Sequence, residues 1–136
     1  MNRKQRDCGP GPYMIPVEEC AIKNMDFRRT VWTGCHMQMT LMCIPVSGEV
    51  GVEMHEDTDQ LIRVEQGDAM MKLGRGRCCM ERQSRLCQGE AVFVPMGTWH
   101  NIVNVGDCPL KLSSVYAPPH HPAGTVHHTR EDAKYE

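Results

Sequence analysis

This chain has few aromatic residues, almost no net charge and no long apolar run. Two Trp, three Tyr and two Phe occur in 136 residues, against eleven Met. Methionine is therefore expected to fill core gaps that aromatic rings would fill elsewhere. The formal charge is −2, and Lys and Arg gather into no long stripe. That excludes the electrostatic footprint of a nucleic-acid binder. The short basic cluster Arg3-Lys4-Gln5-Arg6 reads as a solvated tail. No stretch approaches the ~20 apolar residues of a membrane helix. No apolar core follows the N-terminal charges, because Asp7-Cys8-Gly9-Pro10-Gly11-Pro12 comes next. A secretory signal is thus not indicated, and a cytoplasmic location is the expectation. Eight cysteines are present, at 8, 20, 35, 43, 78, 79, 87 and 108, yet no Cys-x-x-Cys pair. A zinc ribbon and a thioredoxin-type site are both excluded, and reduced thiols acting as small apolar fillers are expected.

Helical periodicity is also scarce. Residues 17–25 place Val17, Cys20, Ala21 and Met25 at roughly helical spacing. Near the end, Thr129 with Asp132 forms a capping box that opens one helical turn. Between them lie short apolar runs broken by Gly, Pro and Asp. Strands are predicted over 37–44, 50–55, 60–65, 69–73, 78–82, 91–94, 101–105 and 110–116. Many short strands at regular spacing predict an all-β sandwich or barrel in one domain. The expected organisation is a flexible tail over 1–12, a single domain over 13–119 and a polar C-terminal tail over 120–136.

Two spaced patterns carry chemistry. Glu53 and His55 are two apart, so on a strand they project to one side. If residues 56–59 close a hairpin, Gln60 begins the partner strand almost opposite His55. In the second pattern Pro95 ends a strand, Gly97 permits a tight turn and His100 lies just inside the return strand. Glu53, His55, Gln60 and His100 are thus candidate ligands for one metal ion. Two His and one carboxylate is the set of a catalytic transition-metal site with open positions.

The spacing resembles that of the cupins. Their second motif, G-x5-P-x-G-x2-H-x3-N, is matched by Gly89, Pro95, Gly97, His100 and Asn104. Their first, G-x5-H-x-H-x3-4-E-x6-G, is matched in spacing with altered chemistry. Glu53 stands at the first His position, His55 at the second, and Gln60 at the Glu position. Gly67 falls on the closing glycine, and the opening glycine is displaced by one, at Gly48. The resemblance spans residues 37–117. It implies a cupin double-stranded β-helix, a jelly-roll barrel with short N- and C-terminal extensions, and one divalent metal ion (Zn, Fe, Mn or Ni) inside its mouth.

The altered ligand set is similar to that of type I phosphomannose isomerases, which use one Gln, one Glu and two His. In those enzymes the Gln and the Glu occupy each other's places. The resemblance therefore implies a metal-dependent isomerase of a sugar or sugar phosphate. A non-haem iron dioxygenase, using Glu53, His55 and His100 alone, is the alternative. A small-molecule-binding module without turnover is a third, because no general base is evident. The resemblance also implies a homodimer, with residues 13–35 crossing to a second copy.

Substrate contacts are expected from the face of strand 37–44 that holds Gln38 and Thr40, although periodicity leaves open which face points inward. Tyr116 at the end of the last strand is a hydrogen-bonding candidate or a packing residue. Trp99 beside His100 either stacks on substrate or plugs the barrel. Alternation from Gln60 points Ile62 and Val64 inward and leaves Glu65 as a surface charge. The pairs His120-His121 and His127-His128 point in opposite directions on an extended chain. They chelate poorly and read as tail residues, the alternative being that one reaches the pocket mouth or a neighbouring subunit.

Overall fold

The computed structural model describes residues 6–134. Nine strands and two short helices are arranged in chain order. Helix α1 (Val17–Lys23) precedes β1 (Arg28–Thr33), β2 (Gln38–Ile44), β3 (Asp59–Gln66) and β4 (Asp68–Gly74). Then follow β5 (Arg82–Cys87), β6 (Ala91–Val94), β7 (Trp99–Asn104), β8 (Leu110–Ala117), β9 (Val126–His127) and α2 (Arg130–Ala133). A six-stranded sheet has the order β6-β3-β8-β2-β1-β9, and a three-stranded sheet the order β5-β4-β7. All pairings are antiparallel. The two sheets enclose one apolar core, to which Met42, Ile44, Ile62, Val64, Leu110 and Leu112 contribute from the large sheet. Ala69, Met71, Leu86 and Ile102 contribute from the small one. This is the all-β jelly-roll barrel expected.

Strand register grades the interior from apolar to polar. One cross-strand row joins Ile44 to Leu110, and the next joins Met42, Leu112 and Val64. One step further, Thr40 faces Ser114 and Ile62, and beyond them Gln38, Tyr116 and Gln60 align. Because side chains alternate along a strand, these residues share the inner face. The four-residue rise of each strand therefore carries the lining from leucine to amide and phenol.

The outer face of the large sheet is partly covered by α1, which packs on β2, β3 and β8. Its Ala21 is fully buried with Val31 and Leu41. Glu65 is here a correction to the expected surface charge: it is 1% exposed. A bulge between Val64 and Gln66 shifts the register there. The Glu65 carboxylate accepts from Arg63 and from Ser113 Oγ at 2.6 Å, which offsets its desolvation.

Segments on either side of the barrel are tied to it. Asp7 accepts from Thr33 Oγ1 at 2.6 Å and from the Thr33 and Gly9 amides at 3.0 and 3.1 Å. Burial raises the Asp7 pKa, but these hydrogen bonds outweigh it and hold the group below its ordinary value. Of the basic cluster Arg3–Arg6, residues 3–5 lie outside the described residues. The Thr129–Asp132 capping box forms and opens α2 as one turn.

Several strand expectations are corrected. Helix α1 ends at Lys23 rather than at Met25. Strand β5 runs over 82–87, not 78–82, and β1 and β9 were not anticipated. Residues 50–55 form no strand, only isolated bridges from Glu49 to Val103 and from Glu53 to His100. The cysteines are mostly not fillers: Cys43 is buried, while Cys35, Cys78, Cys79 and Cys87 are exposed. Met42 and Met71 do fill the core, whereas Met14, Met25, Met37 and Met96 are exposed.

Candidate metal centre

The two hairpins envisaged for the ligands do not form. Gln60 pairs with Val94 and Tyr116, not with the His55 segment. Strands β6 and β7 lie in different sheets, so residues 95–98 turn a corner between them. Gly97 makes the corner with φ +79°, a conformation that L side chains disfavour. Its amide donates to the His55 carbonyl at 2.7 Å, and the Met96 amide donates to Asp59 Oδ1 at 2.9 Å. The Glu53 and His100 backbones exchange two hydrogen bonds of 2.9 Å. The corner thus pins segment 53–59 over the end of the barrel, where all four candidate ligands meet.

Glu53, His55 and His100 offer donor atoms that all lie within 4.8 Å of one another. Glu53 Oε1 is 3.9 Å from His55 Nε2 and 3.8 Å from His100 Nε2. Donors around a bound ion at ~2.1 Å stand ~3.0–3.4 Å apart, so a shift of about half an ångström closes the two Glu53–imidazole separations. His100 Nδ1 lies 2.9 Å from the Thr98 carbonyl, which can only accept. The ring proton is therefore on Nδ1 and the Nε2 lone pair faces the cluster. Gln60 donates from Nε2 to Ser114 Oγ at 3.4 Å, leaving Oε1 to face inward.

Three of these atoms, His55 Nε2, His100 Nε2 and Gln60 Oε1, are buried without a hydrogen-bond partner. Buried polar atoms are nearly always partnered, so three orphans beside one carboxylate call for an occupant. A cation fits: Gln60 Oε1 and His100 Nε2 present lone pairs, and neutral His55 can present a third. Burial pushes the His55 pKa down to about 4, further lowered by His120 and His100 and only partly offset by Glu53. The imidazole is thus neutral near pH 7, the form that binds a metal.

The remaining candidates divide. Gln38 is fully buried, but its amide is used within the chain. It donates to Thr33 Oγ1 at 2.9 Å and the His121 carbonyl at 2.7 Å. It accepts from the His120 and His121 amides at 3.1 and 3.0 Å. It clamps segment 120–121 across the barrel end and has no capacity left for a substrate. Thr40 and Tyr116 are fully buried, and neither hydroxyl has a partner. Burial raises the Tyr116 pKa to about 12, so the phenol keeps its proton. Trp99 is on the opposite side of β7 from His100, with the Arg77 guanidinium 5.6 Å above its ring.

Two residues at the site lie outside the main sequence candidates: His120 was read chiefly as tail, and Arg28 was missed. His120 has its ring centroid 4.2 Å from that of His55 and stacks on Tyr116. Arg28 on β1 is 5% exposed, with Nε unpartnered. His127, read as a tail residue, is buried on β9 opposite Arg28. The Pro118-Pro119 pair before His120 signals a chain that stops pairing and turns back over the barrel end. No local signal distinguishes Arg28 from its neighbour Arg29.

An antiparallel two-sheet barrel with imidazole, carboxylate and amide donors gathered inside one end defines a class of small, single-barrel proteins built around an internal polar site. The Cupin domain family model matches residues 40–116, and the chain belongs to the cupin family. Cupins commonly bind a metal, and the Glu53–His55–His100 cluster is a possible site for one. The protein YrkC of Bacillus subtilis is 43% identical over 128 residues, covering 94% of this chain and 69% of its own length. The protein L612 of Acanthamoeba polyphaga mimivirus is 35% identical over 84% of this chain and 70% of its own. The crystal structure of BH2720 from Bacillus halodurans is 43% identical. It superposes with a TM-score of 0.95 over 96% of this chain and 99% of that one.

Proposed function

We propose that this protein is a metal-dependent enzyme acting on a small polar substrate. The observation that carries the reading is the convergence of His55 Nε2, His100 Nε2 and Gln60 Oε1, all buried and unpartnered, around Glu53. In this reading the four residues hold one divalent ion, and their nitrogen and oxygen donors suit Zn, Fe, Mn or Ni. Such an ion supplies Lewis-acid polarisation of a carbonyl or hydroxyl oxygen. The chain supplies position and protons. The Thr98 carbonyl orients His100, Tyr116 keeps a hydroxyl proton to donate, and His120 lies at the exposed edge between site and solvent.

The reaction we assign is aldose–ketose isomerisation, in which a proton leaves C2 and one is added at C1. The support is the ligand inventory of two His, one Glu and one Gln. The test begins with elemental analysis of the untagged, as-isolated protein. It continues with NMR of aldoses, ketoses and their phosphates in deuterated water. Deuterium entering C2 is the expected result, and its absence with every sugar on metal-loaded protein overturns the assignment.

One observation favours a second reading. Glu53, His55 and His100 cluster without help from Gln60, and two His with one carboxylate suits a non-haem iron oxygenase. Anaerobic iron loading followed by oxygen uptake separates the two, and zinc as the native metal argues against it. Ligand-dependent stabilisation with no product would instead make the protein a binding module.

We also propose that two copies pair through the outer face of the large sheet. Phe93, Leu61, Val115, Met39 and Trp32 are cross-strand neighbours there, and Phe93 is 77% exposed. Residues 12–15 of the N-terminal arm wall one end of this row. Light scattering that finds only monomer at micromolar concentration removes this proposal.

A further inference from the structure

Arg28 has no task in the fold that matches its burial. A guanidinium cannot give up its proton, so burying one without a counter-ion is costly. Arg63 pairs with Glu65 and Arg85 with Asp68, yet no carboxylate stands within ion-pair distance of Arg28 among the described residues. Its terminal nitrogen reaches Met42 Sδ at 4.0 Å, its guanidinium lies 5.6 Å from the Phe27 ring centroid, and its Nε has no hydrogen-bond partner.

The location of Arg28 gives the reason. It lines a pocket of about 420 Å³ at the barrel end, together with Glu53 of the metal cluster. Pockets for small ligands begin near ~300 Å³. Three more cations, Arg77, Arg130 and Lys134, border the same space against one further acid, Glu49. Gly51 keeps the rim open to Arg130: a Cβ there would lie 2.7 Å from an Arg130 guanidinium nitrogen. On its inner side Arg28 adjoins Tyr116. The Tyr116 hydroxyl neighbours both Arg28 and the Thr40 hydroxyl, and both hydroxyls are buried. Glu53 borders both this pocket and the small void that Tyr116 lines with Gln60 and His100, so the guanidinium and the metal cluster meet at one carboxylate.

We propose that Arg28 binds the carboxylate of a small oxo or hydroxy acid that also places an oxygen at the Glu53–His55–Gln60–His100 cluster. The planar guanidinium matches a carboxylate through two parallel hydrogen bonds. The buried portion of the site offers a single cation, which suits a monoanion. Arg77, Arg130 and Lys134 sit on the rim and draw anions inward. This assignment rests on the metal-centre reading for the position of the second oxygen, but Arg28 itself makes no use of a metal.

The test uses the full chain, with and without Mn²⁺, and isothermal calorimetry with three probes: pyruvate, its neutral amide and inorganic phosphate. Wild type is expected to bind pyruvate at least tenfold more tightly than the amide. Arg28→Gln is expected to lose at least tenfold in pyruvate affinity while its Mn²⁺ affinity stays within twofold of wild type. Arg28→Lys keeps the charge, loses the fork and falls between. The amide comparison needs no variant, so it stands even if Arg28→Gln fails to fold. Equal binding of pyruvate and amide, wild-type affinity in Arg28→Gln, or phosphate binding more tightly than pyruvate overturns the proposal. If wild type binds no Mn²⁺, the metal reading fails. The apoprotein comparison of pyruvate with amide then still decides the role of Arg28.

Discussion

The two ends of the barrel interior are built from the same strands and treat buried polarity in opposite ways. At one end, Asn104 is 3% exposed and fully used. It donates to the carbonyls of Ile44, Pro45 and Cys108 at 3.1, 3.2 and 3.0 Å and accepts from the Gly106 amide at 2.9 Å. Leu110, Ile44 and Val64 pack around that end with no exposure. At the other end, Thr40, His55, Gln60, His100 and Tyr116 are as deeply buried, and each leaves an atom unpartnered. A polar group at the first end stabilises the fold. One at the second end is a cost the fold bears.

The largest expected effect breaks the comparison at its open end. Glu53→Gln removes the one anionic donor of the four. It should lower Mn²⁺ affinity by on the order of a hundredfold or more, about 2.7 kcal/mol, as read by calorimetry. Removing metal with a chelator should likewise lower Tm in wild type and leave the Tm of this variant unchanged. Unaltered affinity in Glu53→Gln would show that the cluster is not the metal centre.

Next, Asn104→Leu should destabilise the protein by roughly 2–4 kcal/mol, because it strands an amide and a set of carbonyls. Denaturant titration reads this, and Mn²⁺ affinity should be retained in the variant. The cost is expected at the satisfied end alone.

A third measurement uses pH. His55 is held to about 4 and His121 to about 2, both first by burial. Both pKa values are depressed below the 6.5 of an unfolded chain. Above pH 6.5 both states are neutral and nothing is lost. Below it the unfolded state takes up protons that the folded apoprotein refuses. Stability should therefore fall by roughly 3–6 kcal/mol between pH 6.5 and pH 4, the two rings contributing about equally. Mn²⁺ should steepen the fall, since it favours neutral His55. A flat Tm across that range in the apoprotein contradicts the burial of these rings.

The smallest effect sharpens the contrast most directly. Thr40→Val keeps the shape and removes a hydroxyl that has no partner. The apoprotein should be unchanged or more stable by up to about 1 kcal/mol, the reverse of Asn104→Leu. A loss above 1 kcal/mol in thermal unfolding would mean that Thr40 is satisfied and the open end is not unfilled.

Parts of this molecule were legible in the chain and parts were not, for identifiable reasons. Strands β2, β3, β4, β6, β7 and β8 have apolar residues at period two and were anticipated within a residue or two. Strand β5, Arg-Gln-Ser-Arg-Leu-Cys, is an exposed edge with one buried residue, so it lacks the alternation that marks a strand. Strand β1 turns Arg28 and Thr30 inward, which inverts the usual pattern. Glu65 looked like a solvent-facing charge because α1 and a bulge, neither written into its neighbours, bury it. The gathering of Glu53, His55, Gln60 and His100 was foreseen by spacing, yet through hairpins that do not exist. The Gly97–His55 and Glu53–His100 hydrogen bonds do the work instead.

Local order in the chain determined the alternation, the turns at Gly67, Gly89 and Gly97, and the identity of four donor side chains. Backbone torsions and donor chemistry are properties of single residues and near neighbours. Only the tertiary structure decided which of those groups lack partners. Whether Gln60 Oε1 or Arg28 Nε finds a hydrogen bond depends on strands that arrive from elsewhere in the chain. Desolvation is a sum over all of them. Asn104 and Gln60 are both amides on inward-facing strand positions; their surroundings make one a rivet and the other an open hand.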